Sequence, residues 1–105
     1  LPVEECWVLL LNQAGKVIDR IRISQGGLAS TAVDIRCVLR EALIRRAVSM
    51  VLCHNHPSGN LRPSREDDRL TESLRQAAVT VNLRLLDHVI VTDGKYYSYA
   101  DEGRI

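Results

Sequence analysis

The run Ala47-Val-Ser-Met-Val-Leu-Cys53 is almost unbroken apolar sequence and spans only residues 47–53. A strand with one wet face alternates apolar and polar residues, and a helix needs a longer amphipathic pattern. So short and continuous a run predicts a central β-strand covered on both faces, as in α/β sheets. It ends at His54, so the residues that follow stand at the C-terminal end of that strand.

The rest of the chain supplies neighbours for it. "CWVLLLN" (6–12) is rich in strand formers, "QAGK" (13–16) is a turn, and "VIDRIRIS" (17–24) alternates as a half-buried strand does, which together predict a β-hairpin. "QGGLAS" (25–30) reads as a loop. From Asp34, the apolar residues Ile35, Val38, Leu39, Ala42 and Leu43 fall at helical spacing. The outer face of that helix carries Arg36, Arg40, Glu41, Arg45 and Arg46, which reads as a solvated face with salt pairs. A second helix is expected from Ser64 to about Asn82, with Leu70, Leu74, Ala77, Ala78 and Val81 as its buried stripe. "LRLLDHVIVTD" (83–93) and "KYYSYA" (95–100), divided at Asp93-Gly94, form a final hairpin. The order β-β-α-β-α-β-β implies a mixed sheet with helices packed on it, an α/β fold in one domain over residues 1–105.

Composition narrows the function. A net charge of +1 does not announce a nucleic-acid binder. The basic residues are nevertheless twelve arginines and two lysines, and arginine suits bidentate pairing with carboxylate or phosphate. Cys6, Cys37 and Cys53 are widely spaced, odd in number and set among apolar residues. They suit reduced core thiols better than a disulfide framework. No apolar run approaches the length of a membrane span, and no signal segment precedes the first strand, so a cytoplasmic protein is expected.

The stretch "HNHPSGNLRPSRED" (54–67) carries the chemistry. Residues two apart on an extended strand end point the same way, so His54 and His56 can aim both imidazoles at one point while Asn55 faces away. Pro57 ends strand pairing and Gly59 permits a tight reversal into the second helix. Each feature alone has a structural reading: Ser64 to Asp67 has the spacing of an N-terminal capping box, and histidines in loops are often surface residues. The helical wheel argues further. At roughly 100° per residue, Asp67 falls about 40° from the centre of the buried stripe, whereas Asp68 points the other way. A carboxylate there is costly unless paired or bound to a cation. Two neutral imidazoles and one carboxylate with a fourth position open form the ligand set of a catalytic zinc site. Cap and ligand need not compete, because a serine hydroxyl can accept one bond and donate another.

His54-x-His56-Pro57, six residues, then Ser64-x-x-Asp67 is similar to the JAMM (MPN+/JAB) metalloprotease signature. "HNHPSG", with "LLDHVIV" and "DGKYYSYAD" downstream, resembles the JAB domain of the RadC family over essentially the whole chain. The resemblance implies a JAB/MPN fold, related to cytidine deaminases. It implies Zn²⁺ on His54, His56 and Asp67, a glutamate at the entry to the first strand as general base, and Ser64 as donor to the oxyanion. In the RadC pattern that glutamate stands three residues before Trp7, which makes it Glu4. The residues by themselves do not separate Glu4 from Glu5, since both faces of the strand are apolar. Most JAMM enzymes have Ser or Thr between the histidines; Asn55 matches the RadC form. RadC proteins usually carry a helix-hairpin-helix segment before this domain. None stands here, so an excised C-terminal domain or a short family member is expected.

The implied activity is hydrolysis of a peptide, isopeptide or other amide bond. The rival is a non-enzymatic module: the RadC family has an association with DNA repair, which makes DNA or a protein the partner and the metal site structural or vestigial. Two other readings fail on the residues. HNH nucleases scatter their three letters along a motif, and zinc deaminases need H-x-E with P-C-x-x-C, which is absent. Cys53, adjacent to His54 on a strand, is expected to pack in the core rather than act as a nucleophile. His88 reads as a hydrogen-bonded structural histidine rather than a fourth ligand, and Tyr96, Tyr97 and Tyr99, at strand spacing, as packing residues, with a base-stacking platform as the alternative.

Overall fold

The computed structural model describes residues 3–25 and 33–105. The chain runs β1 (Glu5–Leu11), β2 (Val17–Gln25), α1 (Ile35–Ile44), β3 (Ser49–Asn55), α2 (Arg65–Thr80), β4 (Arg84–Thr92) and β5 (Lys95–Ser98). This is the expected order, a mixed sheet with two helices, consistent with a JAB/MPN fold. The loop expected over 25–30 lies outside the described residues, except that Gln25 ends β2.

Five strands form one sheet in the order β2-β1-β3-β4-β5. Only β3 and β4 are parallel, joined by α2, while the other neighbours are antiparallel. The long apolar strand is central, as its sequence requires, but it begins two residues later than expected and runs on through His54 and Asn55. Its ladder explains the extension: Cys6 pairs with His54 on one side, and Ile90 and Val91 pair with His54 and Asn55 on the other.

One expectation needs correction. Val8, Leu10, Met50, Leu52 and Leu85 share one core with Val38 and Ala42 of α1 and Leu74 and Ala78 of α2, so both helices lie on the same face. The opposite face, with Trp7, Leu9, Val51 and Cys53, is only half-buried. An apolar run thus reports a central position without requiring a helix on each side. The helix stripes shift for the same reason. Leu43 and Val81, assigned to buried faces, are 50% and 38% exposed, while Thr71 is buried on α2 instead. Leu43 is the penultimate residue of α1, and Val81 is the C-cap of α2. The cysteines also divide: Cys6 is core, Cys53 half-buried and Cys37 exposed. Among the described residues no helix is long and apolar enough to cross a membrane.

Termini and turns follow local chemistry. Asp34 caps α1 by accepting from the Arg36 backbone N–H. Beyond α2, Asn82 takes a left-handed conformation with φ of 61°, and the Leu83 N–H reaches back to the Ala78 carbonyl. Asp93 and Gly94 have φ of 41° and 78°, the two positive values that a tight hairpin turn demands. On α1 the arginines are largely paired: Arg36 with Asp34, Arg40 with Glu41, and Arg45 with both Asp19 and Glu41.

Candidate metal centre

Strand β3 delivers His54 and His56 to one side of its C-terminal end, and α2 delivers Asp67 from its first turn. The link between them is tight. Pro57 follows His56, and Gly59, with φ of 85°, turns the chain so that its N–H bonds the His56 carbonyl. Ser64 caps α2 through a reciprocal box: the Asp67 N–H donates to Ser64 Oγ at 3.0 Å, and the Ser64 N–H donates to Asp67 Oδ2 at 2.7 Å. Capping and site-building are therefore done by one carboxylate.

The three side chains meet. His54 Nε2 lies 3.1 Å from Asp67 Oδ1, His56 Nε2 lies 3.2 Å from Asp67 Oδ2, and the two Nε2 atoms are 3.0 Å apart. His54, His56 and Asp67 thus form a group able to hold a metal ion. Burial pushes the Asp67 carboxyl up, but the His54 contact and the Ser64 N–H outweigh it and hold the group well below the usual carboxylate range. It is an anion at neutral pH.

The tautomer of neutral His56 is set by its backbone partner. Its Nδ1 is 2.6 Å from the Asn60 carbonyl, which can only accept, so Nδ1 carries the hydrogen and Nε2 keeps its lone pair when the ring is neutral. That lone pair faces the Asp67 carboxylate. An arrangement of acceptors at such distances is favourable with a cation among them, a metal ion or a proton on an imidazole. Behind His54 the contacts continue: Nδ1 is 2.7 Å from His88 Nε2, and His88 Nδ1 is 2.6 Å from Thr71 Oγ1. Thr71 in turn donates to the Asp67 backbone carbonyl at 2.7 Å. His88 is fully buried, and burial, then the neighbouring His54, lowers its pKa to about 3, so it stays neutral.

Around this core lies a cavity of about 370 Å³, walled by Glu4, His56, Asn60, Arg62, Ser64 and Asp67 among others. Register explains why Glu4 is there. Cys6 pairs with His54 in an antiparallel ladder, so continuing it sets Glu5 against Asn55 and Glu4 against His56. Glu4 falls on the histidine face; Glu5 turns to the other, where its carboxylate accepts from Trp7 Nε1 and lies 3.9 Å from Arg22. Asn55 fixes this entry. Its Oδ1 accepts from the Glu5 N–H at 2.6 Å and its Nδ2 donates to the Val3 carbonyl at 2.9 Å, bracketing Glu4 from both sides.

Sequence reasoning missed several supports. Tyr99 stacks on His88 with ring centroids 4.9 Å apart and planes 5° from parallel. Its hydroxyl donates to Asp68 Oδ1, which also receives Arg104, whose guanidinium sits over the Tyr99 ring. Asp68 thus leaves the metal group, as the wheel requires, yet is held by the C-terminal segment. Cys53, by contrast, has a thiol raised by burial and pairs with Trp7 across the ladder, which gives it no nucleophilic character.

Comparison with known proteins agrees with this geometry. The sequence pattern of the RadC-like JAB domain matches residues 1–104. A UPF0758 protein of Flavobacterium johnsoniae is 48% identical over 103 residues, covering 98% of this chain and 45% of that protein. One from Porphyromonas gingivalis is 48% identical over 104 residues, covering 98% and 46%. A third, from Clostridium acetobutylicum, is 41% identical over 100 residues, covering 95% and 44%. The chain therefore spans a little under half the length of these relatives. With this family pattern matched over residues 1–104 and relatives 41–48% identical along nearly the whole chain, the chain belongs to the RadC-like JAB domain family.

Proposed function

We propose that this domain is a zinc-dependent metallohydrolase of the JAMM type that cleaves an amide bond, peptide or isopeptide. One observation carries the reading: two imidazole Nε2 atoms and a carboxylate converge within 3.0–3.2 Å beside a cavity that Glu4 and Ser64 also line. Ligand atoms about 2.0–2.1 Å from a tetrahedral zinc are roughly 3.3 Å apart, close to the separation of the two Nε2 atoms and of each from its nearer Asp67 oxygen. Three protein ligands are those of a catalytic rather than a structural zinc site.

When bound, zinc supplies Lewis acidity that polarises a carbonyl and acidifies water. The chain's own residues handle the proton and the charge. Glu4, opposite His56, takes a proton from the attacking water and returns it to the leaving amine as the C–N bond breaks, giving a carboxylic acid and an amine. Ser64 Oγ accepts from the Asp67 N–H, which leaves its own hydrogen to donate to the oxyanion that develops on the carbonyl.

The test starts from chelated protein titrated with zinc against a chromophoric chelator, then assayed on fluorogenic peptide and isopeptide substrates. His56→Ala and Asp67→Ala should lose zinc. Glu4→Gln should retain it and lose turnover by roughly 10²–10⁴-fold. Unchanged turnover in Glu4→Gln removes the base assignment. Failure of the wild-type protein to take up any divalent metal removes the hydrolase reading, and DNA binding with a steep salt slope would then favour an interaction module.

A further inference from the structure

We infer that His88 and Thr71 are positioning residues which fix the tautomer of His54, so that its Nε2 lone pair is presented to the metal position before any metal arrives. The inference rests on the metal-site reading above for its consequence, but not for the tautomer itself.

The argument runs outward from one backbone carbonyl. Thr71 Oγ1 is 2.7 Å from the Asp67 carbonyl oxygen. Two oxygens at that distance attract only with a hydrogen between them, and a carbonyl has none to give, so the threonine hydroxyl donates there. A hydroxyl has a single hydrogen. Its 2.6 Å contact with His88 Nδ1 is therefore one in which Thr71 accepts and His88 Nδ1–H donates. His88 then has a bare Nε2, which accepts from His54 Nδ1–H across 2.7 Å. His54 in turn keeps its lone pair on Nε2, the atom facing Asp67 and His56. Every direction in the relay follows from the previous one.

The placement is built for this. His88 is 0% exposed, lies beside Leu52 in the β3–β4 ladder, and is held flat by the Tyr99 ring. Thr71 occupies the buried face of α2, one turn beyond Asp67. The two metal-facing imidazoles are thus set by acceptors of the same kind: His56 directly by the Asn60 carbonyl, His54 at second hand by the Asp67 carbonyl. Asp67 contributes twice, its carboxylate to the site and its carbonyl to the orientation of a partner ligand. Groups behind a ligating histidine commonly change metal affinity 10- to 100-fold when altered.

The experiment uses the intact chain with ¹⁵N-labelled histidine, metal-free, and long-range ¹⁵N–¹H spectra to tell protonated from bare ring nitrogens. In the wild type, His54 should show a protonated Nδ1, with Nε2 bare in the neutral ring. His88→Met, whose thioether is only a weak acceptor and no donor, should lose most of that preference and bind zinc about 10- to 100-fold more weakly. His88→Gln should rescue affinity, since its amide oxygen accepts from His54 and its NH₂ donates to Thr71. Thr71→Val, which keeps volume and removes the hydroxyl, gives a second route should His88→Met not fold: it should shift His54 towards a protonated Nε2 and weaken zinc. A neutral His54 ring with Nε2 protonated and Nδ1 bare in the wild type means the relay runs in reverse and overturns the inference. So does wild-type zinc affinity in a folded His88→Met or in Thr71→Val. If the wild type takes no zinc, the hydrolase reading falls, while the His54 spectrum still decides the relay.

Discussion

Replacing Asn55 by alanine should loosen the entry to β1 without touching the ligands. Its side chain makes two bonds, from the Glu5 N–H at 2.6 Å and to the Val3 carbonyl at 2.9 Å. A net intramolecular hydrogen bond contributes about 1 ± 0.5 kcal/mol, so the pair contributes roughly 2 kcal/mol and at most about 3 kcal/mol. Two facts reduce it. Val3 is 37% exposed, so its carbonyl can turn to water, and pairing with β3 resumes at Cys6 opposite His54, so the segment can fray locally. The expected global loss is about 1 kcal/mol, a fall in Tm of roughly 4–8 °C for a domain of this size.

The local effect should be larger than the global one. Amide exchange at Glu5 should speed up about tenfold or more, while Val8 and Leu10 change only by the roughly fivefold that the global loss of about 1 kcal/mol implies. Zinc affinity should stay within about twofold of wild type, because no atom of Asn55 faces the three ligands. Turnover should fall if Glu4 is the base, since the bracket on both its neighbours is gone. The measurement is exchange by NMR on metal-free protein, beside thermal melts. Unchanged protection at Glu5 in a folded Asn55→Ala protein would refute the bracket and, with it, the account of how Glu4 is placed.

Alkaline conditions should destabilise the metal-free fold. Burial, then Cys53, Glu4 and Asp67, pushes the Cys6 thiol from 9.0 to about 12. Below about pH 9 both states hold the proton; above it the unfolded chain releases one that the folded chain keeps, so stability falls as pH rises, by about 1.4 kcal/mol per unit from this group up to about pH 12. Tyr99, raised by burial and its bond to Asp68, adds the same sign above its ordinary 10.0. Urea midpoints from pH 7.5 to 10.5 should drop steeply in wild type and less in Cys6→Ala; equal slopes would count against it. In the core, Leu74→Ala, at 0% exposure, should cost about 2–5 kcal/mol in urea unfolding, whereas Val79→Ala, 65% exposed, should stay within about 0.5 kcal/mol.

Much of the fold was legible because periodicity is a local signal. Alternation in residues 17–24, the helical stripe through Leu70 and Leu74, and Asp93-Gly94 each determine an element from a few residues. What periodicity does not carry is which side of the sheet a helix covers. That depends on the connections, and it placed both helices on the face of Val8, Leu10 and Leu52, leaving Trp7 and Val51 half-covered. Helix ends failed likewise: Leu43 and Val81 continue the stripe at the C-terminal ends of α1 and α2 yet stay exposed.

The site divides along a different line. His54 and His56 share a side by strand parity, and Asp67 joins them by helical phase, so the convergence of these three side chains was readable from spacing alone. Glu4 and Glu5 could not be told apart by such a rule, because parity needs a reference and the reference is the pairing of Cys6 with His54, contacts far apart in sequence. The supports behind the ligands were less legible still. Thr71 looks like one more small residue on α2, His88 like a structural histidine, and Tyr99 like strand packing; each is all of these. Their joint meaning lies in the direction of hydrogen bonds, and direction is fixed only when an acceptor that cannot donate, here the Asp67 carbonyl, stands at the end of the line. A sequence names donors and acceptors, but only the fold puts them in series.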